Sequence, residues 1–397
     1  MREAAQLPEL LEAARRQLGL PVREGGVGFG TLGSRHQAAY LGSWALCLQQ
    51  VLDRLPHEDA EALTGALTNG DHAHPVAAKL LDANSALQAL GVADTKLPDL
   101  RSCAARAQRR AQARLSRAVG TVTRNSLLAD HPHSRIRLRS CGGPGAGAFL
   151  LGAASETSGT ELLDGTLRHG LSWRLGLPTT SPGLTCSIGC IRRCGAPLDP
   201  LGEHPAVCKY GGFKTTRHSL LVQQLRSILR ESFAIVSPRE VEVPAWRRAD
   251  GLTARIDVAF LADGTRTFVD VTIRHPGVAK YRAQAARLDG HAAAVAERAK
   301  RLWYPALAAA GLPEVVPFAV ETYGRLGPSA RRLLAQARHR LAEADERFRG
   351  WAGTALLQRW QALLSCALQR SLYEAAQAAW GRPPLSGDEL LAACLPS

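Results

Sequence analysis

Residues 254–276 read "ARIDVAFLADGTRTFVDVTIRHP", and their patterning decides the fold expected of the chain. In "ARIDVAF", Ile256, Val258 and Phe260 share one face while Arg255 and Asp257 take the other. "FVDVTI" alternates likewise, with Val269, Val271 and Ile273 against Asp270 and Thr272. Between the runs stands Asp263-Gly264, the strongest short signal for a two-residue type I′ hairpin turn. Such a turn fixes the register. Ala262 then pairs with Thr265, Val258 with Val269, and Asp257 with Asp270.

The two carboxylates are therefore expected face to face, with Cβ atoms about 5 Å apart. At that separation and an effective dielectric near 20, their repulsion is on the order of 3 kcal/mol. A hard divalent cation such as Mg²⁺ relieves it, since it takes one or two carboxylates and keeps waters. One of those waters can attack a phosphodiester. The same register sets Arg255 opposite Thr272, so pairing of the aspartates with Arg255 is the competing structural explanation. Arg217 and His218 open the preceding helix, within reach of a scissile-strand phosphate, although plain surface placement suits them equally. Lys300 and Tyr304 lie four residues apart on one face of the following helix. A lysine beside a metal-bound water stabilises hydroxide and transition-state charge.

A second constellation lies upstream in "CSIGCIRRCGAPLDPLGEHPAVC". Cys190 and Cys194 form one short-spaced pair, His204 and Cys208 a second, and Gly195, Pro197, Pro200 and Gly202 compact the loop between them. Tetrahedral zinc is held by two such pairs. Cys186 offers Cys190's spacing and is the alternative fourth ligand. A closed site of this kind is structural, folding a segment too poor in apolar residues to fold alone.

The 397 residues suffice for two or three domains. Lys and Arg number 49 against 35 Asp and Glu, an excess that suits a polyanionic partner, nucleic acid or an anionic membrane surface. Codon drift toward Arg and Ala yields the same excess, and only six lysines are present. No apolar run is long enough to span a membrane. "MREAAQLPELLEAARR" lacks a signal-peptide core, so secretion is not expected. Nine cysteines over this length suggest metal in a reducing compartment rather than a disulfide scaffold. Met1 is the only methionine, as expected of a fragment cut from a longer reading frame.

Along the chain, residues 1–120 read as helices broken by Gly and Pro. "REGGVGFGTLG" is glycine-rich but lacks the Gly-Lys-Ser/Thr of a phosphate loop. Residues 101–124 read as one Arg-rich helix with Arg110, Arg114 and Arg117 on a face, either a phosphate track or a solvated surface. "HPHSRIRLRS" reads as strand-like, and Gly/Ala-rich chain follows it. A short helix is expected before Pro178, and one helix over about 279–304. "EVVPFAVETYG" reads as a further strand, and amphipathic helices follow it.

A zinc knuckle, then "RH" on a helix, then an aspartate, twelve residues, and "DVT" resembles the restriction-like endonuclease end of non-LTR retrotransposon polyproteins. "CGAPLDPLGEHPAVCKYGG", "VDVTIRHP", "AERAKRLWYP" and "PFAVETYGRLG" extend the resemblance, as do "GGVGFGTLGSRHQAAYLGSWA" and "RLRSCGGPGAGAFLLG" upstream. It covers roughly residues 20–335. The resemblance implies an α+β protein with four parts. These are a helical thumb-like and linker-like region over 1–180, a CCHC zinc knuckle over 181–214, a PD-(D/E)xK nuclease core over 215–330, and a helical tail over 331–397.

It further implies Asp257 and Asp270 as the magnesium ligands. Thr272 stands where the motif lysine belongs, and Ile256 where its proline belongs. Lys300 in "KRLWY" matches the family's substitute lysine, with Lys280 the runner-up. Tyr/Phe-x-Asp-Asp is absent, so the polymerase that acts with such a nuclease lies in the same or a separate polypeptide. The implied partners are DNA and element RNA, and the implied location is the nucleus in a eukaryote, otherwise the cytoplasm. The alternative is a catalytically dead binding module that grips nucleic acid with the knuckle and the Arg-rich helix. A relic no longer under selection is a third possibility.

Overall fold

The computed structural model describes residues 2–30, 32–105, 108–152, 159–181, 183–189, 192–247, 251–262, 264–304 and 315–381. The fold is mixed α+β, a small sheet flanked by helices with a Cys/His cluster at one side. None of the described helices is long and apolar enough to cross a membrane.

The first part is helical: α1 (Arg2–Gly19), α2 (Leu32–Leu52), α3 (His57–Asn69), α4 (Pro75–Ala89), α5 (Leu100–Ala105) and α6 (Ala111–Asp130). Leu41, Leu48, Leu63, Leu80 and Leu115 form the core of α2–α6. α6 crosses α2 closely at Gly42, where a Cβ would stand 2.4 Å from the Gln112 Cα.

The single helix expected over 101–124 is two helices. Arg110 takes a left-handed φ of 63°, and the Gln108 N–H leaves the helical path to donate to the Ala45 carbonyl at 2.8 Å. The break lets Leu100 and Cys103 of α5 and Leu115 of α6 enter one core. It also dissolves the expected arginine face, because Arg114 turns back to the Lys96 carbonyl at 3.1 Å and the Gln108 side chain at 3.2 Å.

The strand-like run in 131–140 is likewise a helix, α7 (Arg135–Cys141). Its alternating arginines are not all surface markers. Arg137 is buried and donates to the Gln17 side chain and the Arg174 carbonyl. The helix expected before Pro178 is α8 (Asp164–Leu175).

After the short α9 (Glu203–Val207), α10 (Phe213–Ser232) leads into the sheets. β1 (Val241–Arg247) pairs antiparallel with β2 (Thr253–Ile256). β3 (Val258–Ala262) and β4 (Thr265–Arg274) form the expected hairpin, with Val258 opposite Val269 and Ala262 opposite Thr265. Gly264 supplies a φ of 76° at its turn, while Asp263 lies outside the described residues. β5 (Val315–Glu321) joins β4 in parallel, giving the order β3-β4-β5. Between β4 and β5 run α11 (Ala279–Ala285) and α12 (His291–Trp303), two helices where one was expected over 279–304, because Gly290 at φ 70° restarts the chain.

One apolar core joins α10 (Leu225, Ile228) to the sheet (Val269, Phe318), to α13 (Pro328–Ala344; Leu333) and to α14 (Trp351–Ala379; Leu368). Trp173 of α8 enters the same core. Ala259, Phe268 and Val315 pack on the sheet's other face with Trp246 and Tyr304.

Candidate functional site

The chain extended over 254–262 breaks at Asp257. β2 turns away to pair with β1, and the β3–β4 ladder ends at Val258 and Val269. Instead of a main-chain partner, the Val271 N–H finds the Asp257 carboxylate, Oδ2 at 2.6 Å. The same break gives Arg255 a different partner, although it still lines one cavity with the aspartates. Arg255 stands opposite Glu242, not Thr272, and its Nε donates to Glu242 Oε1 at 3.0 Å.

Asp257 and Asp270 are 5 % and 4 % exposed, and both line a cavity of about 570 Å³ together with Arg217, His218 and Lys300. Their surroundings differ. Asp257 Oδ2 also lies 3.2 Å from His218 Nε2, and Arg226 of α10 donates to the Asp257 carbonyl. Asp270 Oδ2 accepts from Lys300 Nζ at 2.7 Å and from the Tyr304 hydroxyl at 2.9 Å. α12 ends at Trp303, so its last turn delivers both groups to one oxygen.

The unequal partners split the pair electrostatically. Burial raises the pKa of both carboxyls. For Asp257 that is outweighed by the hydrogen bond and charge of His218 and by the Val271 N–H, and the net shift is downward. For Asp270, burial and the negative charge of Asp257 prevail over Lys300 and Tyr304, and the net shift is upward. The bond to Asp257 in turn raises the pKa of His218 against its own desolvation.

Arg217 is 2 % exposed in the first turns of α10. Its Nη1 donates to the Ala206 carbonyl at 2.8 Å, whereas Nε and Nη2 have no hydrogen-bond partner among the described residues. Burial pushes its pKa down to about 10. Lys280 stands apart from the aspartates, exposed and over the ring of its neighbour Tyr281. Thr272 is buried beside the pair and brings no ammonium group there. A second trough of about 560 Å³ shares His218 and Asp257 with the first and continues past Arg226 and Arg239.

The Cys/His constellation also assembles, with one change of ligand. The donor atoms of Cys186, Cys194, His204 and Cys208 lie within 4.8 Å of one another, a set suited to a structural metal ion. Cys186 fills the place for which Cys190 was preferred, and Cys190 lies outside the described residues. The cause is a hairpin: Cys186 N–H donates to the Ala196 carbonyl and Gly195 N–H to the Cys186 carbonyl, which sets Cys186 beside Cys194 across the ladder. Cys186 Sγ stands 4.0 Å from Cys208 Sγ, and Cys194 Sγ 3.4 Å from His204 Nε2. A tetrahedral ion with about 2.3 Å bonds to sulfur needs ligand edges near 3.8 Å, so the donor set fits. Asp199 orients the histidine segment, its carboxylate accepting the N–H groups of Glu203 at 2.8 Å and His204 at 2.7 Å.

Sequence reading alone does not find Arg226, Asp199, Glu203 or His275 at these sites. Arg226 had a usable signal, standing two helical turns beyond His218 on α10. No known protein-family model matches this chain, and a search of curated proteins finds no match either.

Proposed function

We propose that the chain is a metal-dependent DNA endonuclease of the restriction-like PD-(D/E)xK type, the nicking module of a retroelement protein, acting with a polymerase not in this chain. The observation that carries the proposal is the buried Asp257–Asp270 pair on the wall of an open cavity, with Lys300 on one carboxylate. A hairpin joined by a parallel strand and flanked by helices supports the assignment, as does the ordered run of motifs upstream and downstream of it. Magnesium is the cation suited to Asp257 and Asp270, and zinc to Cys186, Cys194, His204 and Cys208. DNA is the substrate and element RNA a further partner, with action in the nucleus if the host is a eukaryote.

A divalent cation held by Asp257 and Asp270 would supply Lewis acidity and lower the pKa of a bound water, whose hydroxide would be the nucleophile toward phosphorus. Asp257, kept ionised by His218, is the standing anionic ligand. Asp270, its pKa raised by burial and by the charge of Asp257, would be the second ligand, with Lys300 and Tyr304 steadying its charge. The Lys300 ammonium stabilises negative charge building on the attacking oxygen. Arg217 and His218, on the cavity wall beside the pair, attract and steady the phosphate by charge.

The test is nicking of supercoiled plasmid with Mg²⁺ and with EDTA. Wild type nicks only with Mg²⁺, while Asp270→Asn loses nicking by at least about a hundredfold and still retards DNA on a gel. Equal loss of binding and nicking would remove the separation of roles. The second function, a binding module on a dead nuclease scaffold, is favoured by one observation, Thr272 at the motif lysine position. Firm DNA retention by wild type with no Mg²⁺-dependent nicking selects it.

A further inference from the structure

α9 stands between the Cys₃His cluster and the cavity. It has five residues, too few to be helical by propensity, so its position depends on what holds it. On one side these are His204 and Cys208 of the cluster and the Asp199 carboxylate, while Ala206 is seated in the main apolar core. On the other side α9 meets two groups that line the cavity, Arg217 through a hydrogen bond and His275 through a charge contact longer than a hydrogen bond. The Ala206 carbonyl accepts from Arg217. Glu203 Oε2 stands 3.7 Å from His275 Nε2, and its Oε1 accepts from the Tyr323 hydroxyl at 3.3 Å. His275 Nδ1 is in turn 2.7 Å from Thr322 Oγ1 at the end of β5.

The contact is closely fitted. At Gly277 a Cβ would lie 2.7 Å from His275 Nε2 and 3.2 Å from Glu203 Oε2, so any larger residue drives a wedge into the pair. Arg217 has no other hydrogen-bond partner among the described residues, and two of its buried nitrogens are unsatisfied. The guanidinium lies on the cavity wall, where its charge suits a phosphate.

We infer that the metal bound by Cys186, Cys194, His204 and Cys208 positions Arg217 and His275 through α9, so that metal retention and nucleic-acid binding are coupled, with Glu203 as the positioning residue. The nature of the ligand depends on the nuclease assignment above; the coupling is a separate claim. By linkage, if the bound metal favours DNA, bound DNA favours the metal by the same factor.

The experiment uses the zinc-loaded full chain in Mg²⁺-free buffer, a fluorescein-labelled duplex oligonucleotide as probe, and a coloured zinc chelator. Saturating oligonucleotide is expected to lower the zinc dissociation constant, read by competition with the chelator at equilibrium, at least about fivefold in wild type. In Glu203→Gln and in Gly277→Ala, each also saturated with oligonucleotide, the tightening is expected to shrink below about twofold. Zinc content and far-UV circular dichroism equal to wild type establish that the variants are folded, a state in which a merely structural Glu203 leaves the tightening intact. Binding of the oligonucleotide with an unchanged zinc dissociation constant overturns the coupling and spares the nuclease proposal. Full tightening in both folded variants overturns the role of Glu203. No binding at any concentration overturns both.

Discussion

Lys300 and Tyr304 converge on one oxygen of Asp270, yet their chemistry there is unequal. Lys300 brings a full charge and three rotatable donors; Tyr304 brings one neutral donor and buries its ring against Trp246 and Phe268. Lys300→Met is therefore expected to cut the nicking rate about a hundredfold with DNA affinity little changed. Tyr304→Phe is expected to cost roughly tenfold, as loss of one hydrogen bond to a charged acceptor of about 1.5 kcal/mol. Single-turnover nicking of end-labelled DNA measures both. His169 makes a prediction about stability. It is buried against Trp173, Tyr373 and Trp380, and burial lowers its pKa to about 4. Above pH 6.5 both folded and unfolded forms hold it neutral, so it has no effect. As pH falls from about 6.5 to about 4, the unfolded chain takes up a proton that the folded chain refuses, and stability drops by as much as about 3 kcal/mol. Urea midpoints at pH 7 and pH 4.5 are expected to lie closer together in His169→Gln than in wild type.

At the scale of elements, period and turn chemistry decide which expectations held. The β3–β4 hairpin was legible because alternation and a glycine at the turn act in the same direction, and its register follows residue by residue. The meeting of Lys300 and Tyr304 was legible too, since residues four apart share a helix face. Contacts distant in sequence were not. Nothing local says that the Ala206 carbonyl receives Arg217 or that Glu203 meets His275. Cys186 and Cys190 offer equal spacing, and the hairpin that favours Cys186 is a main-chain feature that ligand counting does not register. Helical periodicity runs unbroken through 101–124, while the chain turns at Arg110 to serve a core. That turn carries its own prediction. A non-glycine residue in the left-handed region costs on the order of 1 kcal/mol, so Arg110→Gly is expected to raise the thermal midpoint slightly, by calorimetry, despite the added freedom of the unfolded chain.

Over the whole molecule the dominant fact is the reach of one core. Trp173, Leu225, Val269, Phe318, Leu333 and Leu368 belong to it, drawn from elements of the second half of the chain and the helix before them. Leu368→Ala is expected to cost about 2–5 kcal/mol, and the loss should register equally in sheet-sensitive and helix-sensitive probes, because β3–β5 and α14 share that core. The Cys/His hairpin is tied in as well, with the Ser187 N–H donating to the Ala379 carbonyl near the end of α14. A ribosome that has made everything through β5 has yet to supply the helix against which α10 and the sheet must close. Until Leu372 emerges, the nascent chain keeps that apolar face bare. Arrested translation products should accordingly depend on chaperones and gain protease resistance only once synthesis has passed α14.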